Sequence, residues 1–591
     1  MFTYKLLGNG ITFGNEIVDI LKLQGINDIE EFINPSEKHI EDVELFSTMT
    51  NAVRTLLNVL NSDNKIIDLV VDCDVDGYTS ASLIYLYIKK ICSSATIQIH
   101  VHKTKVHGIK DVYESLIKSK SSLIIIPDAG TNDDEYLERV IKTKKVIILD
   151  HHKADKNIIE NYNLNYYKSQ YNIVNNQLED SVTDKAMTGV GIVYKFCKKV
   201  DKVLNVNYAD DYLDLVALGM IADRADLTNL QSRYLVLKGL QSISDNTNFN
   251  PLISEFVRQL SYRLKGNITI NNIGYYVAPL LNALIRIGTI EEKRMLFEAF
   301  VNPHCRLDKE IRGKGLVNMS IQEYMYRSCD SLKRRQDKMA EDDAKKLEEQ
   351  IDTFELNKYP VIVCKLEDGM DAGITGLMSN KIASHYSKPC LILKDIGDKL
   401  TGSGRGSDKS PIGNFREYCE TLGIIECHGH DGAFGATINK KNISMLYGML
   451  ARDIDKFANL QLNEKEYYVY HVYDATDLSD INIKNISKYN YLFGNGVEEP
   501  LFVIDNIPLN MYTTTLQGEK QNRFDFTYKN IKFDMYSKSS LFDIVNDMYN
   551  IGDNLLVSVV GSFKMGEGNR PTVVIKDINY KINNNASVFG L

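Results

Sequence analysis

Several features common in other protein classes are missing from this chain of 591 residues. No apolar run approaches the ~20 residues a helix needs to cross a bilayer, so a helical membrane anchor is not expected. The opening stretch, residues 1–16, lacks the charged-then-apolar layout of a secretory signal, so export is not expected either. The nine cysteines are odd in number, scattered singly, and never spaced as C-x-x-C. That spacing excludes a zinc ribbon or a disulfide frame and suits reduced thiols in a cytoplasm. An excess of basic residues is also missing, since the net charge is −9. Overall charge therefore excludes a simple DNA-coating protein, and a polyanionic substrate would need a local basic groove or bound cations. Tryptophan is absent, and with abundant Lys, Asn and Ile this suggests an AT-rich bacterial or phage genome.

The length predicts several domains, because single cores stop growing near ~250–300 residues. Residues 1–50 read as short helices with a stop at Asn34-Pro35. Residues 51–290 alternate apolar runs (Ile66–Val71, Ile97–Val101, Leu123–Ile126, Val146–Leu149) with helical stretches, the pattern of a parallel sheet buried on both faces. Residues 291–353 read as helical and end in a densely charged stretch suited to a connecting helix. Residues 354–462 form a smaller α/β segment, with strands near Pro360–Leu366 and Pro389–Leu393 and helices near Ile412–Leu422 and Ile443–Phe457. Residues 463–591 change to alternating strands rich in Tyr, Val, Ile and Thr, which predicts a terminal all-β unit and a loose polar tail at Asn583-Asn584-Asn585.

Acidic and imidazole residues gather at the ends of the apolar runs. Val70-Val71 leads into Asp72-Cys73-Asp74-Val75-Asp76-Gly77, Leu123–Ile126 into Pro127-Asp128-Ala129-Gly130, and Val146–Leu149 into Asp150-His151-His152. An apolar helix, Leu213–Ala222, delivers Asp223. In an open α/β sheet the crevice beyond the strands' carboxyl ends is where ligands bind. Carboxylates converging there repel one another unless cations neutralise them. Oxygen ligation with one imidazole suits Mg2+ or Mn2+, and two such ions sharing a carboxylate suit in-line attack on phosphorus. A calcium loop is the competing reading of Asp72–Gly77, but no Glu stands at its twelfth position.

These four segments resemble the signature motifs of the DHH phosphoesterases. The resemblance implies that Asp74, Asp76, Asp128, His151 and Asp223 hold two divalent ions, Mn2+ or Mg2+, with Asp128 bridging and a metal-activated water attacking. Asp72 would complete one shell, because Val70 stands where many relatives carry a histidine. His152 would contact the scissile phosphate and Asp150 would orient a histidine. Pro279–Arg286, which includes Asn282, is similar to a Pro-x-x-Asn-x-x-x-Arg stretch of the RecJ branch. Ala372–Leu377, Gly402–Ser407 and His430–Gly435 resemble the DHH-associated domain, and Phe493–Gly496 and Val559–Gly561 the RecJ OB-fold. Two departures bear on substrate detail: His428-Gly429-His430 replaces the usual Gly-Gly-His, and Met370-Asp371-Ala372 lacks the usual His-Pro.

Glycines around Arg405 would let backbone N–H groups and a guanidinium approach phosphate closely, although Gly402–Ser407 also reads as a flexible turn. Ser403, Gly404, Arg405 and His430, with Asn282 and Arg286, are thus the expected substrate contacts. Tyr512, Phe524, Phe526, Tyr528 and Phe533 could stack bases or form strand core. The fold expected is multi-domain α/β: a parallel-sheet DHH domain, a connecting helix, a smaller α/β domain and a C-terminal β OB-fold. The activity expected is a monomeric, cytoplasmic exonuclease on single-stranded DNA, 5′-to-3′ by resemblance, with the strand in a cleft between the first two domains. Its expected partners are single-stranded DNA and a single-stranded-DNA-binding protein or helicase, with no membrane. Two rivals stay open: an enzyme of the same superfamily cutting short RNA or cyclic dinucleotides, and a replication scaffold without chemistry.

Overall fold

The chain opens with a strand, β1 (Phe2–Leu6), where a purely helical segment is expected, and helices begin only at Glu16. β1 pairs in parallel with a strand at Lys465–Val469. This computed structural model describes residues 2–163, 171–245, 249–264, 268–311, 313, 315–370, 372–407, 410–458, 465–518, 521–537, 540–551 and 555–582. Asp371 and the tail expected at Asn583–Asn585 lie outside the described residues. By its internal contacts the chain divides into two compact units. One comprises Gln24–Lys333 with Tyr489–Glu499, and the other Met1–Leu23, Arg334–Lys488 and Pro500–Leu591.

The first unit is built on five parallel strands: β2 (Ile66–Val71), β3 (Thr96–Val101), β4 (Leu123–Pro127), β5 (Lys145–Asp150) and β6 (Asn172–Asn175). Their order is β3-β2-β4-β5-β6. Alternate residues of one strand feed two cores: Leu69 and Val71 of β2 join one apolar cluster, and Val70 joins the other. Burial on both faces is why β4 and β5 are apolar runs and why β2 is apolar except at Asp68, whose buried carboxylate is held by His100, Ser121 and Lys144. The helices that matter for the site are α1 (Val75–Ile91), α2 (Gly189–Leu204), α3 (Leu213–Ala222), α4 (Leu230–Ser244) and α5 (Ala278–Ile287).

A hairpin, β7 (Arg306–Ile311) and β8 (Gly315–Ser320), interrupts the stretch expected to be helical throughout. Then comes α6 (Ile321–Thr353), 33 residues long. Its buried residues Met325, Cys329, Leu332, Gln336, Ala340, Ala344, Leu347 and Ile351 recur at three- and four-residue spacing, and most of its charged residues cover the other faces. No described helix is long and apolar enough to cross a membrane.

The second unit contains two sheets of five and seven strands. The smaller has β9 (Ile362–Lys365), β10 (Cys390–Ile396), β11 (Lys399–Arg405), β12 (Ile425–His430) and β13 (Ala433–Asn439), in the order β12-β13-β11-β10-β9. Helix α7 (Thr375–Tyr386) packs on β10 and β11. Gly402–Arg405 belongs to β11 and is not a turn. Its glycines allow close approach: a Cβ at Gly402 would overlap the Ile392 carbonyl, and one at Gly404 would stand 2.7 Å from the Phe434 ring.

After β14 (Lys465–Val469), the seven-stranded sheet uses β15 (His471–Asp474), β16 (Phe502–Leu509), β17 (Thr515–Gln517), β18 (Arg523–Tyr528), β19 (Ile531–Tyr536), β20 (Leu555–Met565) and β21 (Pro571–Ile582). Their order is β15-β16-β20-β21-β19-β18-β17, and α8 (Phe542–Ile551) lies between β19 and β20 in the chain. Phe524, Phe526 and Phe533 are buried, with Phe526 stacked on Phe533 at 4.8 Å, so they are core and not a surface for bases. Tyr528 is half-buried, and the side chain of Tyr512 lies outside the described residues.

Candidate metal centre

The strand order changes direction between β2 and β4, so connections leave their carboxyl ends toward opposite sides and open a crevice there. Into that crevice β2 delivers Asp72, Cys73 and Asp74, β4 delivers Asp128, and β5 ends at Asp150 beside His151 and His152. Asp74 caps α1, its carboxylate accepting from the Gly77 N–H at 3.0 Å. Gly77 is required for this turn, because a Cβ there would stand 2.6 Å from that of Asp72. Asp128 adopts a φ of 64°, in the left-handed region, and its N–H donates to the Leu149 carbonyl at 2.8 Å.

Asp76 lies at the amino end of α2, where its two oxygens accept from the N–H groups of Gly189 at 2.7 Å and Val190 at 3.1 Å. Asp223 closes the carboxyl end of α3. The ligand atoms of Asp72, Asp74 and Asp128 lie within 4.8 Å of one another, as do those of Asp76, His151 and Asp223. His151 Nε2 is 3.2 Å from Asp128 Oδ1 and 3.6 Å from Asp223 Oδ2. All six expected ligands are therefore brought together.

The electrostatics of the cluster call for cations. Burial, then the charge of Asp74, pushes Asp76 up to about 7. Burial, then Asp76 and Asp74, pushes Asp223 up to about 8. Asp128 is driven well above the usual carboxylate range by burial and by the charge of Asp76. Asp128 Oδ1 is buried and has no hydrogen-bond partner among the described residues. Asp223 also sits at the negative end of a helix dipole, where an anion is disfavoured. Burial and then the neighbouring His152 pull His151 down to about 4, leaving a neutral imidazole free to ligate. Mostly oxygen donors with one imidazole fit a hard or borderline divalent ion.

Asp150 is fully enclosed and organises the two histidines. One oxygen accepts from the His151 N–H at 2.7 Å and from His152 Nδ1 at 2.8 Å, and the other from the Thr131 N–H at 3.0 Å. Burial works against a charge on His152, but the Asp150 carboxylate outweighs it and lifts the imidazole to about 9. Two histidines beside Asp72 escaped the sequence reading, His107 and the buried His102, whose Nε2 is 3.7 Å from Asp72 Oδ1. His107 Nδ1 lies 2.5 Å from Asp72 Oδ2, the Gly108 N–H donates to Asp72 Oδ1 at 3.1 Å, and the His107 ring is 5.6 Å from that of His152. The only signal for His107 was a His-Gly pair shortly after β3, with no acidic neighbour to mark it.

On α5, Asn282 Oδ1 and Arg286 Nε are buried without a hydrogen-bond partner among the described residues. Burial lowers Arg286, and the charge of Asp74 opposes that effect. Ser403, Gly404 and Arg405 belong to the second unit. There a Cβ on Gly376, at the start of α7, would stand 2.6 Å from Arg405 Nη2, and Ser403 Oγ is 2.9 Å from Thr375 Oγ1. Ala433 on β13 is in register with both Arg405 and His430, so these two share one end of the sheet. The side chain of His430 lies outside the described residues.

Carboxylates and one neutral imidazole converging at the switch point of a parallel sheet define a divalent-metal phosphoesterase centre. The DHH family, N-terminal domain, matches residues 67–220. A Bacillus subtilis (strain 168) protein, described provisionally as the SPbeta prophage-derived single-strand DNA-specific exonuclease YorK, is 31% identical over 571 residues, covering 95% of each chain. The single-stranded-DNA-specific exonuclease RecJ of Dickeya dadantii is 22% identical over 464 residues, covering 74% of this chain and 73% of its own. The crystal structure of RecJ from Thermus thermophilus in complex with Mn2+ shares the fold at a TM-score of 0.68 and 18% identity, over 98% of this chain and 79% of that one. The chain belongs to the DHH phosphoesterase family, in its RecJ-like branch of metal-dependent exonucleases.

Proposed function

We propose that this enzyme hydrolyses phosphodiester bonds of single-stranded DNA from one end, with 5′-to-3′ polarity, in repair, recombination or replication. The observation that carries the reading is the convergence of Asp74, Asp76, Asp128, His151 and Asp223, with Asp72, on one crevice. Those residues would hold two divalent ions, Mn2+ or Mg2+, and Asp128, whose Oδ1 is buried without a hydrogen bond among the described residues, would bridge them. When bound, the ions supply positive charge to the phosphate and make water acidic enough to attack near neutral pH. His152, kept protonated by Asp150, donates to the scissile phosphate or to the leaving oxygen. Arg286 and Asn282 hold a flanking phosphate, and Arg405, Ser403, Gly404 and His430 are the phosphate contacts that the second unit supplies by itself.

The C-terminal sheet supports an OB-fold reading. β16 and β17 together supply the first strand, β18 and β19 the next two, α8 comes before β20, and β19 runs parallel to β21. Such a unit binds single strands, and enzymes confined to dinucleotides commonly lack it. Action in the cytoplasm by a monomer, beside a single-stranded-DNA-binding protein or helicase, goes with this reading. The test is a time course on end-labelled single-stranded and duplex DNA with Mn2+, Mg2+ or EDTA. Metal-dependent release of mononucleotides from the single strand's 5′ end is expected. Inert DNA with brisk cleavage of dinucleotides would overturn the substrate assignment, and binding without cleavage would overturn the chemistry.

A further inference from the structure

Asp223 is the ligand of the centre that the carboxyl end of a helix, α3, delivers. The N–H groups of Asp223, Arg224 and Ala225 close the helix onto the Gly219, Ile221 and Met220 carbonyls, and Arg224 does so at a φ of 62°, in the left-handed region. The segment that completes this end comes from the far end of the chain. Tyr489–Glu499 packs as part of the first unit, although its neighbours on both sides in the sequence belong to the second. Within it Gly494 and Val497 form a small hairpin, each N–H donating to the other's carbonyl at 2.8 and 3.1 Å. The Asn495 side chain donates from Nδ2 to the Ile221 carbonyl at 3.3 Å, and the Asn495 backbone carbonyl accepts from the Leu227 N–H at 3.1 Å. One residue thus brackets the turn that carries Asp223.

The hairpin is pinned on every side. Arg233 of α4 is fully buried, donates from both terminal nitrogens to the Leu492 carbonyl at 3.2 Å, and lies 3.5 Å over the Phe32 ring. Gly496, with a φ of 79°, leaves no room for a Cβ beside Asp226 Oδ1. Gly494 sits so close to Ile270 that a Cβ would be 3.0 Å from the Ile270 Cβ. Gln24 Nε2 donates to the Glu498 carbonyl at 2.8 Å.

We propose that Tyr489–Glu499 is a clasp, with Asn495 as a positioning residue, that caps α3 and fixes Asp223 and so sets the affinity of the metal site Asp223 completes. The inference rests on the two-ion reading of the centre. It makes the metal site dependent on a segment that lies outside residues 67–220, as Asp223 itself does. Carboxylate ligands orient through what holds their backbone, and loss of such support typically costs roughly 10- to 100-fold in metal affinity or activity.

The test uses the full chain with Asn495→Ala and with Asn495→Leu, which keeps the side chain's size and removes its donor. Mn2+ is titrated calorimetrically into substrate-free protein, and the Mn2+ dependence of cleavage is followed in parallel. The expected result is one Mn2+ step weakened by about tenfold or more, KM for the strand unchanged, and kcat recovered by excess Mn2+. Melting curves check the fold, and if the alanine variant unfolds, the leucine variant decides. Mn2+ isotherms indistinguishable from the parent, or a loss of kcat that Mn2+ does not restore, overturn the clasp alone. A parent chain that binds no Mn2+ overturns the metal assignment and the clasp with it.

Discussion

Replacing Asp128 with asparagine separates the chemistry of the centre from its cost to the fold. Asp128 is buried, its Oδ1 has no hydrogen-bond partner among the described residues, and burial with the charges of Asp76 and Asp74 drives its carboxyl well above 3.8. A carboxyl whose folded pKa is raised destabilises the fold above its unfolded value. The cost grows as pH rises from 3.8 and is complete only above the folded pKa. In metal-free protein near neutral pH a buried carboxylate without a hydrogen bond costs on the order of 1–3 kcal/mol. Asparagine has the same shape and carries no such cost. If local rearrangement absorbs half, the variant still melts about 1–2 °C above the parent in EDTA, at roughly 1.5 °C per kcal/mol for a unit of about 320 residues. The advantage shrinks as the pH falls toward 4. Mn2+ reverses the ranking, because only the parent gains a full set of ligands. Cleavage falls by roughly a thousandfold if about 4 kcal/mol of transition-state stabilisation goes with the ligand. Calorimetric melts at pH 8, with EDTA and with Mn2+, test the reasoning. An asparagine variant less stable than the parent in EDTA, or equally stabilised by Mn2+, refutes it.

Three further outcomes follow from contacts already described. Asp150→Asn removes the carboxylate that lifts His152 to about 9, so kcat should fall roughly 10- to 100-fold and the alkaline limb of the pH–rate profile should move down toward the ordinary histidine range. Gly189→Ala puts a Cβ 2.6 Å from that of Asp128, so it should raise the Mn2+ concentration needed for half-maximal cleavage, while circular dichroism stays that of the parent. Phe526→Ala opens a cavity beside Phe533 and should cost about 3–5 kcal/mol in a denaturant melt. The affinity of the molecules that remain folded for single strands should not change, and a selective loss of that affinity would return Phe526 to the binding surface.

What the sequence by itself determined is what local pattern can encode. β2, β4 and β5 are buried on both faces, so they had to be apolar almost throughout, and Asp72, Asp74, Asp128 and Asp150–His152 follow directly from their ends. β6 was not legible, because Asn172–Asn175 is a short strand with asparagine at both ends. The aromatic strands of the C-terminal sheet were legible as strands, but period-two alternation does not say which face is covered, and packing put Phe524, Phe526 and Phe533 inside. The glycines of β11 looked like a turn, because only the neighbouring Ile392 and Phe434 reveal why no side chain fits there. His107 against Asp72, Asp76 on the amino end of α2, β1 beside β14, and Asn495 bracketing Asp223 all join residues far apart in the chain. Such contacts carry no periodic signature, because each forms only once folding has brought its partners together. Tertiary structure alone decided what holds those acidic residues in their crevice.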